Sequence, residues 1–323
     1  MTAEQNPLNI LGTKVNPGET KEVNFDVANL HTASPVNVPV IISRSKKEGP
    51  TVLFTAGIHG DEVNGVEIVR QLIAKGINKP KIGTIICMPV INIFGFINLK
   101  REFPDGRDLN RVFPGSTGGS LASRVANKLV KEVVPHADLI IDFHTGGSGR
   151  FNAPQLRYAK SQKNLNVLAE VFGAPFVLYS KNLTKSFRTT CTKLGKDMLL
   201  FEGGKSFHID DVVTNYGVNG SKRVLKHLGM LKTVFKASKP KKQCVFIEDS
   251  KWQRAKYSGM FKASIAVGTK IEREDIIGNI TDPYGKFNYF VRAQNSGYVI
   301  NVNELPIVYQ GDALFHISTK VKP

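Results

Sequence analysis

The hydrophobic pattern divides this chain into two unlike parts. Through roughly the first 230 residues, short apolar runs alternate with stretches of helical period. Val36-Asn37-Val38-Pro39-Val40-Ile41-Ile42 alternates and then becomes continuous, which predicts a strand at the edge of a sheet or within it. Gly49-Pro50 is a turn into Thr51-Val52-Leu53-Phe54-Thr55, which reads as a buried strand. Val63, Val66, Val69, Leu72 and Ile73 then fall at helical spacing, ended by Gly76. A further strand is expected over Gly83 to Val90, and an amphipathic helix over Leu121, Ala122, Val125, Ala126, Leu129 and Val133, ended by Pro135. Leu139 to Phe143 and Met198 to Phe201 are two more buried strands. Val212, Val213, Tyr216, Val224, Leu225 and Leu228 predict a closing helical region, interrupted by Gly217 and Gly220. Between these elements, Ile91 to Gly119 has little periodicity and many turn residues. A loop that long in a compact domain is usually functional.

The second part changes character. Lys236-Ala237-Ser238-Lys239-Pro240-Lys241-Lys242-Gln243 is polar, contains proline and reads as a linker. From Cys244 to Ser318 the runs are short and alternating with regularly placed glycines, so this part should be all β. It carries a faint repeat: Ser258-Gly259-Met260-Phe261 is echoed by Ser296-Gly297-Tyr298-Val299, and Glu274 to Ile280 by Gln310 to Ile317. The expected fold is α/β. A mixed sheet flanked by helices spans residues 1–235, followed by a linker at 236–243. A smaller all-β sandwich or barrel spans 244–323.

The chemistry gathers at strand ends. Ala56-Gly57-Ile58-His59-Gly60-Asp61-Glu62 is a turn from a strand end into a helix start. His59 and Glu62 lie three apart there, so both side chains can converge on one point, and imidazole nitrogen and carboxylate oxygen are ordinary zinc ligands. A third ligand is expected at His144, at the carboxyl end of the strand in Asp142-Phe143-His144. Ligands bind outside the carboxyl ends of strands in open α/β sheets, so His59 and His144 can share one crevice. Asp142 is placed to orient a ligand from outside the metal's own coordination. Arg111 can hold a carboxylate through two parallel hydrogen bonds, and Asn110 can add a donor. Glu202 sits at the end of an apolar strand before Gly203-Gly204, where a carboxylate is costly without a partner or a task.

Four pieces of the chain also resemble one family. His59-Gly60-Asp61-Glu62, Asp108-Leu109-Asn110-Arg111, Asp142-Phe143-His144 and Phe201-Glu202-Gly203-Gly204 occur in the order found in the succinylglutamate desuccinylase/aspartoacylase family, within the wider group of zinc carboxypeptidase-like hydrolases. The resemblance runs over roughly Pro39 to Gly204. It implies zinc on His59, Glu62 and His144, with Glu202 taking a proton from water and passing it to a leaving nitrogen. It implies that Asn110 and Arg111 grip a substrate carboxylate, and that an arginine polarises the scissile carbonyl. Arg101 is the candidate for that last role, with Arg107 close enough to compete.

Composition narrows the setting. The 323 residues are 41% hydrophobic and 22% charged, which is ordinary for a globular protein, and no apolar run reaches the length of a membrane span. The first residues show no basic segment followed by an apolar one. The three cysteines are odd in number and far apart, so reduced thiols and a cytoplasmic location are expected. The formal net charge of +17 is spread along the chain, with small clusters only at Lys46-Lys47 and Lys239 to Lys242. No zinc-finger pattern and no aromatic RNA-binding signature accompanies it, so solvated lysines explain it better than a nucleic-acid partner. The expected partner is a small anionic substrate, with no membrane and no nucleic acid; a homo-oligomer is left open.

The tail's two halves resemble the small β-sandwich of lipoyl and biotinyl carrier domains. The lysine hairpin of those carriers is missing, because Asp282-Pro283-Tyr284-Gly285 is a plain turn. The tail is expected to act as a cover beside the active-site mouth. The expected function is zinc-dependent deacylation of an N-acyl amino acid or a similar carboxylate-bearing amide. The alternatives are a metallocarboxypeptidase acting on peptides and a catalytically silent protein binding anions or nucleic acid.

Overall fold

The computed structural model describes residues 6–162, 164–180, 183–240 and 242–322. Lys241, inside the expected linker, lies outside the described residues, as do the ends of the two expected domains at residues 1–5 and 323. The chain opens with a hairpin of β1 (Leu8–Ile10) and β2 (Thr13–Val15). The first ten strands continue with β3 (Thr20–Asn29), β4 (Pro35–Arg44), β5 (Thr51–Ala56), β6 (Thr84–Met88), β7 (Leu139–Gly146), β8 (Arg150–Tyr158), β9 (Phe176–Tyr179) and β10 (Asp197–Lys205). Interleaved helices are α1 (Val63–Ala74), α2 (Ile93–Asn98), α3 (Leu121–Glu132), α4 (Leu165–Phe172), α5 (Phe187–Lys193) and α6 (Asp211–His227). The tail holds β11 (Val245–Arg254), β12 (Gly259–Ala263), β13 (Lys270–Ile271), β14 (Ile276–Thr281), β15 (Asn288–Arg292), β16 (Gly297–Asn303), β17 (Ile307–Val308) and β18 (Ala313–Val321).

One mixed sheet of twelve strands runs through the molecule in the order β13-β16-β18-β11-β9-β8-β10-β7-β5-β6-β4-β3. Its centre, β6-β5-β7-β10, is parallel. These strands are apolar on both sides because both faces are covered. On one face Val52, Phe54, Ile141, Phe143, Leu199 and Phe201 pack with α1, α4 and α6. On the other, Leu53, Ile140 and Met198 pack with α3 and α5. The result is a mixed α/β fold with a β-rich C-terminal region. No helix among the described residues is long and apolar enough to cross a membrane.

Several elements differ from the sequence expectation. Residues 91–119 are not wholly irregular, since they contain α2 and a 3-10 turn at Leu109–Arg111. Asn92 caps α2 by accepting from Gly95 N–H, a local bond that a search for hydrophobic period overlooks. His144 and Glu202 lie inside β7 and β10 rather than just beyond them. Gly217 and Gly220 do not interrupt a helix, because α6 is continuous. A Cβ at Gly217 would stand 2.4 Å from the Ile68 side chain, and one at Gly220 2.4 Å from the Phe172 ring. The glycines are there so that α6 can lie against α1 and α4. Strand β3, absent from the sequence expectation, buries Val23, Phe25 and Val27 in strict alternation, which is a local strand signal.

The tail's repeat has a structural counterpart. Gly259 opens β12 and Gly297 opens β16, and a Cβ on either would collide with a carbonyl oxygen of the neighbouring strand, Thr281 in β14 and Ser318 in β18. Strands β15-β14-β12-β17 form a separate sheet, whereas β11, β13, β16 and β18 extend the main one. We propose that the chain divides at 236–243. The buried side chains support this. Two large cores draw their buried residues from positions 10–231, a third draws its own from 255–317, and a small fourth joins Ala153, Phe176 and Leu178 to Ile247 and Ile300. Limited proteolysis should cut first within 236–243. The two pieces should then stay together on size-exclusion chromatography, because β9–β11 and β8–β16 pair across the cut. A first cut elsewhere would move the boundary.

Candidate active site

Register places the site. Parallel pairing sets Glu202 of β10 beside His144 of β7, and Leu200 beside Asp142. On the other side of β10, antiparallel β8 sets Gln155 beside Glu202 and Arg157 beside Leu200. Paired residues share a face, so Asp142, His144, Glu202, Gln155 and Arg157 point the same way. β8 carries one extra residue around Ala153-Pro154, where its register against β10 shifts. Such a bulge re-aims the next side chain, and it brings Asn152 onto Glu202. Proline, which has no N–H to give a ladder, is tolerated at a bulge.

Glu62 is the N-terminal capping residue of α1 but makes no capping bond. Its carboxylate turns instead between the two histidines, with Oε1 2.7 Å from His59 Nδ1 and Oε2 2.8 Å from His144 Nδ1. Thr145 N–H donates to Oε2 at 3.1 Å, and Arg101 Nη1 to Oε1 at 3.2 Å. The outer nitrogens of the rings are held as well. His59 Nε2 lies 3.1 Å from Asp108 Oδ1 and His144 Nε2 lies 2.8 Å from Asp142 Oδ2. Thr55 Oγ1 in turn donates to Asp142 Oδ1 at 2.7 Å. Three donor atoms, one each from His59, Glu62 and His144, lie within 4.8 Å of one another. With both outer nitrogens tied to carboxylates, Nδ1 is the atom each ring presents, and this set fits a divalent metal ion.

The electrostatics follow from burial among partners. Burial alone would lower both imidazoles, yet the neighbouring carboxylates outweigh it. His59 is held above its ordinary value by Glu62 and Asp108, and His144 well above by Asp142 and Glu62. Burial alone would raise the two acids. The histidines nevertheless hold Glu62 well below the carboxylate range, and His59 with Arg101 does the same to Asp108. A metal entering this set competes with protons on the imidazoles.

All seven residues expected from the sequence, His59, Glu62, Arg101, Asn110, Arg111, His144 and Glu202, line one cleft. Arg101 is the arginine turned inward, bonded to Asp108 by Nε (3.1 Å) and Nη2 (2.9 Å), whereas Arg107 is exposed beside Asp105. Asn110 Oδ1 accepts from Phe187 N–H at 2.8 Å, and Arg111 is exposed, with Nη1 donating to Asn110 O. Glu202 is held on both oxygens, by Asn152 Nδ2 at 2.6 Å and Arg157 Nη1 at 3.3 Å. Arg188, pushed down to about 10 by burial and by Arg157, lines the same cleft and donates to Ser180 Oγ.

Sequence reasoning missed Asn152, Arg157, Arg150, Trp252 and Asn301 as cleft residues. The last two come from the tail. Trp252 stacks on His316, rings 4.5 Å apart, and the Arg150 guanidinium lies over the Trp252 ring at 5.9 Å. Burial pushes His316 down to about 3, so this ring is neutral. No local motif marks these positions, because only strand pairing brings them to the site.

The model of the succinylglutamate desuccinylase/aspartoacylase catalytic domain matches residues 48–228. The chain belongs to that family. The matched span holds all seven residues above and excludes Trp252 and Asn301. A curated relative, N-alpha-acetyl-L-2,4-diaminobutyric acid deacetylase of Halomonas elongata, is 27% identical over 259 residues, covering 76% of this chain and 75% of the relative. Among solved structures, an ectoine utilization protein from Ruegeria pomeroyi superposes with a TM-score of 0.83 at 22% identity, covering 98% of both chains. A succinylglutamate desuccinylase from Silicibacter sp. gives 0.82 at 22% identity over the whole of both chains. Asp142→Asn leaves all three donor atoms in place and weakens only what holds the His144 ring. It should lower metal affinity about 10- to 100-fold in a competition titration against a chelator, and unchanged affinity would remove Asp142 from the metal site.

Proposed function

We propose that this protein is a zinc-dependent deacylase that hydrolyses the amide bond of an N-acyl amino acid or a similar carboxylate-bearing amide. The observation that carries this reading is the meeting in one cleft of the His59–Glu62–His144 donor set, the doubly held carboxylate of Glu202, and Arg101, Asn110 and Arg111. The relative from Halomonas elongata, a deacetylase of an N-acetylated amino acid, supports it. Two imidazoles and a carboxylate with an open position suit zinc, which when bound lowers the pKa of a water and polarises a carbonyl.

The chain's own groups do the rest. Glu202 takes the proton of the attacking water and returns it to the leaving nitrogen. Arg101, fixed by Asp108 and Glu62, stabilises the negative charge that grows on the carbonyl oxygen. Asn110 has its oxygen occupied by Phe187 N–H, so its NH2 is the group it offers a substrate carboxylate, and Arg111 adds a two-point contact. The products are a carboxylic acid and an amine. Arg101, Arg111, Arg150, Arg157 and Arg188 around the cleft favour a small anionic substrate. The same donor set would serve a zinc carboxypeptidase-like enzyme acting on peptides, so a panel of N-acyl amino acids against short peptides tests the reading directly. N-acyl amino acids should be the better substrates, and preferential cleavage of peptides would overturn it.

Glu202→Gln should retain zinc and lose about 100- to 10,000-fold in kcat; near wild-type turnover would remove Glu202 from the mechanism. Arg111→Lys should keep metal and fold while costing about 2 to 3 kcal/mol in transition-state binding. The loss should shrink for a substrate whose free carboxylate is replaced by an amide. The measure is kcat/KM for both substrates on both enzymes, read as a double cycle. Equal losses on the two substrates would mean that Arg111 does not bind the carboxylate.

A further inference from the structure

Two hydrogen bonds in series run from the C-terminal β-region to Glu202. Asn301, in β16, donates through Nδ2 to Asn152 Oδ1 at 2.7 Å. Asn152, in β8, donates through its own Nδ2 to Glu202 Oε2 at 2.6 Å. Both asparagines are buried, each 3% exposed. They are directly paired where β16 joins β8, and Asn152 is paired on its other side with Gly204, two residues past Glu202.

This series has a direction. A primary amide presents an acceptor at one end and donors at the other, and a half-turn exchanges them. Asn301 gives a donor to the oxygen of Asn152, so Asn152 must turn its NH2 toward Glu202. Turned the other way, Asn152 would set an oxygen against a carboxylate. Asn301 adopts this orientation although its own Oδ1 is left buried with no hydrogen-bond partner among the described residues. A buried polar atom without a partner is uncommon and calls for a compensating reason. The demand of Asn152 for a donor supplies one.

We propose that Asn301 is a positioning residue for Glu202, locking the Asn152 amide so that it holds the carboxylate in place for proton transfer. The C-terminal region is then part of the hydrolytic apparatus as well as a wall of the cleft. This rests on the reading of Glu202 as the proton carrier.

Asn301→Leu keeps nearly the same volume and removes the donor; Asn301→Ala serves if the leucine variant does not fold. Zinc content and melting temperature should stay close to wild type. With an N-acyl amino acid substrate, kcat should fall about 10- to 100-fold, the scale on which loss of an outer partner is felt, while KM changes little. In a Glu202→Gln background the same substitution should have no further effect. A packing role predicts near wild-type kcat for the leucine variant, or the same loss in both backgrounds, and either result overturns the proposal. A rise in KM with kcat unchanged also overturns it, by making Asn301 a substrate contact. If the wild-type protein hydrolyses no N-acyl amino acid, the functional reading fails separately. A crystal structure of Asn301→Leu then decides the positioning role: a turned Asn152 amide or a displaced Glu202 carboxylate supports it, and an unmoved pair overturns it.

Discussion

A carboxylate taken out of water must be repaid with partners, and Glu62 sets the terms for this site. It is 2% exposed and has four partners: two imidazoles, one guanidinium and one backbone N–H. Removing one partner of a buried ion pair typically costs about 3 to 5 kcal/mol, because the other charge stays buried. The cluster therefore ties together segments far apart in sequence: the β5–α1 turn, the end of β7, and the stretch from Arg101 to Asp108. A metal that fits this set replaces protons, and the surrounding carboxylates are already placed to orient its ligands.

The sheet supplies the second constraint. The outer edge of β8 is shared, with Gln155 to Tyr158 pairing with β9 and Arg150 to Asn152 with β16. Since β9 continues through β11 and β18 back to β16, these five strands close on themselves. The tail is thereby threaded into the wall of the cleft, which is why Trp252 and Asn301 line it. Glu304, just past β16, donates its N–H to Gly149 O in the β7–β8 turn and pairs with Lys205 at the end of β10 at 2.8 Å.

The positive charge has a local and a diffuse part. The lysines are mostly solvated, and exposed pairs such as Lys320–Glu248 contribute little to stability. The arginines at the cleft differ, because each is fixed by a neighbour: Arg101 by Asp108, Arg150 by Gly147 O and Trp252, Arg157 by Glu202. Fixed charges in a concave site steer anions more effectively than mobile ones.

The amino-acid sequence by itself determined the alternation of buried strands and helices in the α/β part and the groups with metal-binding chemistry. Strands such as Thr51–Ala56 and Leu139–Gly146 are short apolar runs followed by glycine-rich turns, and that local pattern is legible without a fold. His59 and Glu62 were readable because they lie three apart, and His144 because its strand is so apolar. Tertiary structure decided the rest. The glycines of α6 looked like breaks because a packing surface cannot be seen from one helix. Asn152, Arg157 and Asn301 carry no local signal. Their positions depend on a one-residue bulge in β8 and on which strands share its outer edge, and register between distant strands is set by the whole core.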